Sequence, residues 1–287
     1  MRKLMTLLLS LTAIAATAQP RPAYAIFTSD GKETDYGKMI KTIDGADIIF
    51  IGETHNCPVA HWMEYEITSD LIRKSGKGLT LGAKMFESDN QLLVDEYTQG
   101  LISSDKFESE AKLWDNYWTD YASLLYLARE HGLKFVATNV PRRYASFVKD
   151  NGLEALNSLS EEAKSLMAPL PIAFDSSSEG DAMFGFMQMM GGKASEKSNF
   201  AQAQALKDAT MAWFISRNFD RKFIHYNGNF HSEAKGGIIP YLQQYLPGKN
   251  IVTICSARQD DIRSLEKENR GRADFIIVAP TAFPMSY

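Results

Sequence analysis

The chain has 287 residues, and its 45% hydrophobic content is enough to bury a sizeable core while 23% charged residues suit an ordinary soluble surface. Its formal net charge of −4 and its pI near 5.8 give no electrostatic reason to expect nucleic acid as a partner. Beyond residue 18 no apolar run reaches membrane-spanning length, so no transmembrane segment is expected in the mature chain.

The first 18 residues are predicted to be a signal peptide. Two basic residues precede a mostly apolar stretch, residues 4–15, and residues 16–18 supply a small-x-small cleavage site. We therefore expect residues 19–287 to be exported to the periplasm or the cell exterior. No cysteine lies near the cleavage point, so a lipid anchor is not expected.

Short apolar runs alternate along the chain with segments of helical period. The predicted strands are residues 47–51, 79–86, 134–140, 222–226, 250–255 and 274–278. Near-continuous apolar strands separated by helices predict an α/β fold with a mostly parallel sheet flanked by helices. Ahead of these strands, residues 25–43 predict a hairpin or edge strand and then a helix, with Asp30-Gly31 at the turn.

Residues 158–218 interrupt this alternation because they contain no strand pattern. We expect a small all-helical insertion subdomain there, with helices near residues 182–190 and 199–217. The first of these contains four methionines and two phenylalanines. Methionine-rich surfaces are adaptable. We expect the helix with Met183 and Met187 to cover a flat apolar ligand or to contact a partner subunit, and the alternative is that it packs in the core.

Two predicted strands lead into the same pattern, a glycine followed three residues later by a histidine. The first copy is Gly52-Glu53-Thr54-His55, and the second is Gly228-Asn229-Phe230-His231. Because ligands bind at the carboxyl edge of open α/β sheets, both histidines are expected to face one pocket. Glu53, His55 and His231 are therefore candidates for metal binding or acid–base chemistry. In the alternative, Glu53 caps the next helix and His55 packs.

Other strand ends carry further polar candidates. Glu87 ends the second predicted strand, and its carboxylate is expected at the same edge as His55, unless it only starts a helix. Asn139 lies at the end of the third predicted strand, and Arg142 and Arg143 follow it. Arginines at a pocket edge bind carboxylates or phosphates, and the alternative is a solvated basic pair.

Two helical patterns carry polar side chains on one face. His61 lies three residues before Glu64, so it supplements the site or is a hydrogen-bonded core residue. A second stripe faces the pocket or the sheet edge, or else is an ordinary solvated face, and it comprises Gln204, Lys207, Asp208 and Met211.

The two cysteines, Cys57 and Cys255, are both expected near the same sheet edge. A disulfide between them is one alternative and two free thiols are the other. The sequence contains no CxxC metal pattern, no GxSxG elbow, no GxGxxG fingerprint and no Walker loop.

Taken in order, these motifs resemble the ChaN-like haem-binding family, which belongs with the TIKI and TraB proteins in a superfamily marked by paired GxxH motifs. The resemblance covers nearly all of the mature chain. The segments that carry it are residues 50–55 with His61, 85–87, 139–142, 204–211 and 227–231.

The resemblance implies an exported protein of haem and iron acquisition, with haem (iron protoporphyrin) bound at the sheet edge and the helical insertion. It also implies a homodimer with haem at the interface, and an outer-membrane haem transporter as a further partner. The chain departs from the lipoprotein members of the family because it has no lipobox cysteine.

The resemblance also suggests site residues. The matching positions are Gly52, Glu53, His55, His61, Glu87, Asn139, Arg142, Asn227 and His231. Haem iron takes an axial imidazole or phenolate, with apolar walls and with cations near the propionates. We expect the axial ligand to be His55, His231 or Tyr226. Arg142 or Arg143 is expected to hold the propionates, while the helix with Met183 and Met187 covers the porphyrin.

A divalent-metal-dependent hydrolase is the alternative function, because the TIKI branch uses its GxxH residues in metal-dependent peptide hydrolysis. In that interpretation His55, His231 and a carboxylate hold the ion, and Glu53 or Glu87 activates water. In a third interpretation the GxxH turns only brace the fold.

Overall fold

The structure is a computed structural model, and it describes residues 22–174 and 197–286. The predicted signal peptide lies outside the described residues, and so does the predicted helix with Met183 and Met187. Within the described part of the chain, no helix combines the length and the apolar character needed to cross a bilayer.

Eight strands of the described residues form one sheet. In chain order they are β1 (Ala25–Thr28), β2 (Glu33–Thr34), β3 (Ile48–Glu53), β4 (Leu79–Glu87), β5 (Lys134–Asn139), β6 (Lys222–Gly228), β7 (Ile251–Gln259) and β8 (Phe275–Pro280). Their order across the sheet is β2-β1-β8-β7-β3-β6-β4-β5. The strands from β8 to β5 are parallel, and β1 runs antiparallel to both of its neighbours. This confirms the predicted α/β fold with a mostly parallel sheet flanked by helices.

Helices cover both faces of the sheet. In chain order they are α1 (Tyr36–Asp44), α2 (Pro58–Ser75), α3 (Gln91–Thr98), α4 (Ser104–Glu110), α5 (Ala122–His131), α6 (Arg142–Asn151), α7 (Glu161–Lys164), α8 (Lys197–Asn218) and α9 (Ile238–Tyr245). A π-helical turn, Tyr117–Tyr121, leads directly into α5. Proline suits the first turn of a helix, where its missing N–H has no partner to lose, and α2 begins with Pro58.

The apolar side chains of the central strands divide the core between the two faces. Ile49 and Ile51 of β3 pack in the cluster that contains the apolar residues of α2 and α5. Ile48 and Phe50 point the other way, into the cluster built with α6, α8 and α9. Successive side chains of a strand point to opposite faces, so the near-continuous apolar runs reflect a sheet that is buried on both sides. Helix α8 packs directly on this sheet.

The strands that carry the GxxH motifs are longer than predicted. The predictions ended them at residues 51 and 226, whereas β3 continues to Glu53 and β6 to Gly228. Both glycines therefore lie inside the strands, and Gly52 pairs with Asn227 of β6 and Cys255 of β7.

The two cysteines are free and buried on opposite faces of the sheet. Cys57 belongs to the cluster on the α2 face, while Cys255 packs with Phe27 and Ile276 in a separate cluster. The disulfide alternative is therefore not realised. Burial raises the pKa of the Cys255 thiol to about 12, which keeps it protonated and unreactive.

Candidate functional site

The two GxxH motifs interlock at the carboxyl ends of β3 and β6. A side chain at Gly52 would place its Cβ 2.8 Å from Oδ1 of Asn229, which belongs to the second motif. In return, a Cβ at Gly228 would lie 3.0 Å from Nε2 of His55, which belongs to the first motif. Each glycine is needed because a residue of the other motif approaches its backbone closely. The expectation that the motifs meet at one sheet edge agrees with this geometry.

His55 is the exposed histidine of this edge. Nδ1 of its imidazole lies 2.5 Å from Oε1 of the buried Glu53, while 47% of the His55 side chain remains accessible. Tyr121 donates a second hydrogen bond to the same Glu53 oxygen over 3.0 Å. The Trp114 ring stands edge-on to the imidazole, with 5.8 Å between the ring centroids. Glu53 therefore orients His55 instead of capping the following helix.

Behind Glu53 lies a group of buried ionisable side chains, which we call the Glu53 cluster: Glu53, His61, Glu64 and Asp120. Nδ1 of His61 lies 3.2 Å from Oε2 of Glu53 and 3.2 Å from Oε2 of Glu64, and its Nε2 lies 3.2 Å from Oδ2 of Asp120. All four side chains are buried. The prediction that His61 and Glu64 share a helix face agrees with this arrangement, and that His61 supplements the site stays a prediction.

The charges of the Glu53 cluster perturb one another strongly. Burial disfavours the imidazolium of His61, yet its neighbours Glu64, Glu53 and Asp120 outweigh this and raise its pKa to about 9. Burial raises the pKa of Glu64 to about 7. Burial also favours the neutral acid of Glu53, but the hydrogen bond from His55 and the charge of His61 hold its pKa below the usual value.

Asp120 reaches the cluster from the π-helical turn. Asn116, which precedes that turn, donates a hydrogen bond to Oδ2 of Asp120 over 2.7 Å. The amide of Asn116 also lies 3.2 Å from Oδ1 of Asn56, which follows the first GxxH motif. Single π-turns occur frequently at functional sites, where the extra residue redirects a side chain.

His231 forms a second carboxylate–imidazole pair, on the α8 side of the sheet. Its Nδ1 lies 2.5 Å from Oδ1 of Asp208, and both residues are buried. Burial lowers the pKa of His231 well below, and raises the pKa of Asp208 well above, their usual values. The polar stripe predicted on α8 therefore faces the sheet edge at Asp208.

Lys84 lies between the two pairs. Its ammonium is 5.0 Å from the centroid of the Trp114 ring, and its charge acts on His231. Burial, together with the charge of Lys207, lowers the pKa of Lys84 to about 8. The site edge thus contains an amine whose pKa is lower than that of an ordinary lysine.

Asn227 braces the turn that carries His231. It is fully buried, and its amide donates to the backbone oxygen of Gly228 over 3.0 Å and to Oγ of Ser232 over 2.9 Å. Its Oδ1 lies 3.0 Å from Nδ1 of His225, a core histidine. The geometry thus assigns Asn227 a positioning role and corrects the prediction that it contacts a ligand.

The structure also corrects the prediction for Tyr226. Its side chain points to the α2 face and is fully buried, with its hydroxyl 2.6 Å from Oγ1 of Thr68. Burial raises the pKa of this phenol above its usual value, so a phenolate is disfavoured. The side chain faces the core rather than the edge because strand side chains alternate and His225 takes the other face.

Glu87 ends β4 as predicted, but its ion-pair partner is Lys112 rather than a GxxH histidine. Strand β4 pairs with β6 only as far as Ala83, and its pairing with β5 then shifts so that Glu87 lies opposite Asn139. The Glu87 carboxylate is 3.6 Å from the ammonium of Lys112. The irregularity in β4 carries Glu87 away from β3 and β6.

The two arginines after β5 behave differently. Arg143 lies 2.5 Å from Oδ2 of Asp89 and stacks over the Tyr144 ring, so its guanidinium is already engaged. Arg142 is exposed and forms no ion pair with the described residues, and its charge lowers the pKa of Lys207. Asn139 is buried, and its Oδ1 accepts no hydrogen bond within the described part of the chain.

The predicted metal pair is divided between two carboxylates, since His55 faces Glu53 and His231 faces Asp208. Within residues 22–174 and 197–286, the side chains whose ligand atoms gather closely enough for a metal ion are Glu53, His61 and Glu64. Sequence reasoning missed Asp120, Tyr121, Trp114 and Lys84. A lysine inside an apolar strand is itself a signal, and Lys84 has that position in β4.

Residues 39–242 match a family described as haem-binding uptake, Tiki superfamily, ChaN. The chain is also similar to ChaN of Campylobacter jejuni, solved with cofacial haem binding, at 16% identity and a TM-score of 0.70 over 89% of this chain and 96% of that one. A Bacillus cereus protein matches at 13% identity and a TM-score of 0.49, covering 85% of this chain and 90% of that one. The erythromycin esterase EreC matches at 12% identity and a TM-score of 0.47, covering 81% and 77%. No curated protein matches the chain.

Proposed function

The chain belongs to the ChaN family of haem-binding uptake proteins in the Tiki superfamily, and we propose that it binds haem at the carboxyl edge of the sheet with His55 as the axial ligand. The observation that carries this proposal is the pairing of His55 with Glu53. Nδ1 of His55 is held by the buried carboxylate at 2.5 Å, while the side chain remains 47% exposed. Nε2 makes no hydrogen bond with the described residues, although it faces Gly228, where a Cβ would stand 3.0 Å from it.

The residues around His55 fit the chemistry of haem. When bound, haem supplies an iron that takes an axial imidazole and two propionates that require cations. A carboxylate on the remote nitrogen fixes the ring and raises the basicity of the ligating nitrogen, and Glu53 has this position. Trp114 offers an aromatic wall beside His55, and Lys84 and Arg142 supply positive charge near the edge.

His55 is preferred over His231 because of accessibility. His231 is 4% exposed and its Nδ1 already lies against Asp208, also buried, so a flat ligand must displace protein to reach it. Tyr226 is excluded from this role by its position in the core. We therefore propose that His231 supports the haem site from inside the protein and does not bind the iron.

Hemin titration tests this assignment. The wild-type protein is expected to give a saturable Soret shift, and His55→Ala to lower hemin affinity at least about tenfold because the axial bond is lost. His131→Ala is the matched control, since His131 is an exposed histidine at the carboxyl end of α5. A wild-type protein without a saturable shift, or a His55→Ala variant that titrates like wild type, contradicts the proposal.

We do not propose the hydrolase alternative for this chain. It requires His55 and His231 to hold one ion, but they engage different carboxylates. It also uses Glu53 or Glu87 to activate water, whereas Glu53 is buried among histidines and Glu87 lies beside Lys112. Peptidase activity that is lost in both histidine variants would restore this alternative.

Export and assembly belong to the same proposal. The basic–apolar–small pattern of residues 1–18 supports export, and we also propose a homodimer and a haem transporter as partners, on the resemblance described in the sequence analysis alone. Cell fractionation with mass spectrometry is expected to find a mature chain that begins at Gln19. Light scattering with and without hemin is expected to show a dimer in the loaded protein.

A further inference from the structure

The Glu53 cluster gathers three carboxylates around one imidazole, out of contact with solvent. We propose that Glu53, His61 and Glu64 hold a divalent transition-metal ion, Mn²⁺, Fe²⁺ or Zn²⁺, in a closed structural site beneath His55. This site is separate from the proposed haem ligand, because its three ligand residues are buried whereas His55 is exposed.

The charge of the Glu53 cluster is the first observation that supports a bound metal ion. The cluster places three carboxyl groups around one imidazole in a buried position, so a protonated His61 balances at most one negative charge. Within the described residues, no lysine or arginine forms an ion pair with any of the three carboxylates. A buried charge without a partner is strongly unfavourable, so the cluster needs a cation or protons.

The Glu53 cluster also contains buried polar atoms that have no hydrogen-bond partner within the described residues. Oε2 of Glu53, Oε1 of Glu64 and Oδ1 of Asp120 are buried and make no hydrogen bond within the described residues. Nε2 of His61 is in the same position, although Oδ2 of Asp120 lies 3.2 Å away. Buried polar groups nearly always have hydrogen-bond partners or ligands. One bound metal ion would satisfy several of these four atoms at once.

The distances between the ligand atoms of the cluster also suit a metal ion. The ligand atoms of Glu53, His61 and Glu64 lie within 4.8 Å of one another. Oxygen and nitrogen ligands stand about 2.0–2.2 Å from a transition metal, so two ligands of one ion are separated by at most roughly 4.4 Å. The three side chains therefore need only small shifts to share an ion. Asp120 is close enough to His61 to complete the shell or to orient its ring.

The ligand chemistry selects the class of ion. Mg²⁺ and Ca²⁺ prefer shells made of oxygen, and Cu⁺ prefers sulfur. A set of two carboxylates and one imidazole instead suits Mn²⁺, Fe²⁺ or Zn²⁺. Neither cysteine belongs to the cluster, which leaves no thiolate ligand.

The wild-type protein, with any affinity tag removed, provides the first test. It is stripped with a chelator, incubated with MnCl₂, ZnCl₂ or anaerobic FeCl₂, desalted, and analysed for bound metal and melting temperature. We expect about one ion per chain for at least one of these metals, and a rise in melting temperature of roughly 5–10 °C. The measurement uses no hemin, so it is independent of the proposed function.

Variants then locate the ion. His61→Gln and Glu64→Gln are expected to lower metal affinity at least about tenfold. Glu66→Gln is the matched control, because Glu66 lies on the same helix outside the cluster. His55→Ala is expected to keep its metal, which separates this site from the haem ligand.

Two results would overturn the proposal. One is a stripped wild-type protein that retains less than about one tenth of an ion from each metal and melts at an unchanged temperature. The other is a Glu64→Gln variant that binds metal as tightly as wild type. In the first case protons neutralise the cluster, and Glu64→Gln should then be at least as stable as wild type because it removes one buried carboxylate.

Discussion

Histidines in this protein differ in role because their partners differ. His55 is exposed and bonded to Glu53, whereas His61 is buried among carboxylates. His231 is buried against a single aspartate, and His225 sits in the core between Thr138 and an asparagine. Exposure and partner, rather than residue type, select His55 as the residue able to reach a large ligand.

The substitution Tyr226→Phe tests whether Tyr226 lies outside the haem site. The substitution removes the bond to Thr68, so the free energy of unfolding is expected to fall by about 1 kcal/mol. Hemin affinity is expected to stay unchanged. Urea denaturation and hemin titration measure the two effects, and Tyr65→Phe, at an exposed position of α2, the helix that carries Thr68, is the control. Loss of hemin binding in Tyr226→Phe would refute the assignment.

Strands β3 and β6 build the site together. They pair in parallel register, so Glu53 lies opposite Gly228 and both GxxH turns leave the sheet at the same level. Asn229 of the second motif donates to Oγ1 of Thr54 in the first and to the backbone oxygen of Ser256. The site edge is therefore a junction of neighbouring strands, and its position depends on their close contact.

Gly52→Ala tests this junction. Its Cβ would meet Oδ1 of Asn229 at 2.8 Å, Cα of Asn229 at 3.1 Å and the backbone oxygen of Ile254 at 3.2 Å, and the two backbone atoms cannot yield easily. We expect a loss of about 1–3 kcal/mol in the free energy of unfolding, together with weaker hemin binding, because the second motif must move. Gly45→Ala is the matched control, since its nearest atom stands at an ordinary 3.5 Å. Equal stability of the two variants would contradict the interpretation.

Across the whole molecule, the sheet separates two buried polar systems. The Glu53 cluster lies on the α2 face, while Asp208, His231 and His225 lie on the face covered by α6, α8 and α9. Each face also contains its own apolar cluster. The protein therefore buries several ionisable groups whose protonation is linked to global stability.

His225 makes this linkage testable. Burial lowers its pKa from 6.5 to about 3, a shift to which the charges of His231 and Lys84 contribute. Between these two pKa values the unfolded chain binds a proton at His225 that the folded chain does not bind. The stability contributed by the neutral, buried His225 is therefore fully present above pH 6.5 and declines as the pH falls towards 3. Between pH 7 and pH 4.5 the loss is expected to be about 2 kcal/mol.

Urea denaturation at the two pH values measures this loss. His225→Gln removes the titrating group, so its stability is expected to depend on pH by about 2 kcal/mol less than wild type over the same range. His131→Gln, at an exposed position, is expected to keep the wild-type dependence. Parallel losses in wild type and His225→Gln would show that His225 is not the source.

Local sequence patterns were enough to predict much of this molecule. Apolar runs and helical spacing predicted six of the strands, the parallel sheet and the long helix α8, because backbone periodicity depends on nearby residues. The GxxH turns were correctly expected at one sheet edge, since parallel strands bring their carboxyl ends together. The shared face of His61 and Glu64 follows in the same way from helix geometry.

The partners of these residues depended instead on contacts between remote parts of the chain. A shift in β4 carried Glu87 to Lys112, and a π-turn brought Asp120 to His61. Strand alternation places Tyr226 in the core, on the face opposite to His225. A pattern in the sequence specifies which elements form and which face each residue takes. Register, irregular turns and packing specify which side chains meet, because those depend on residues that lie far apart in the chain.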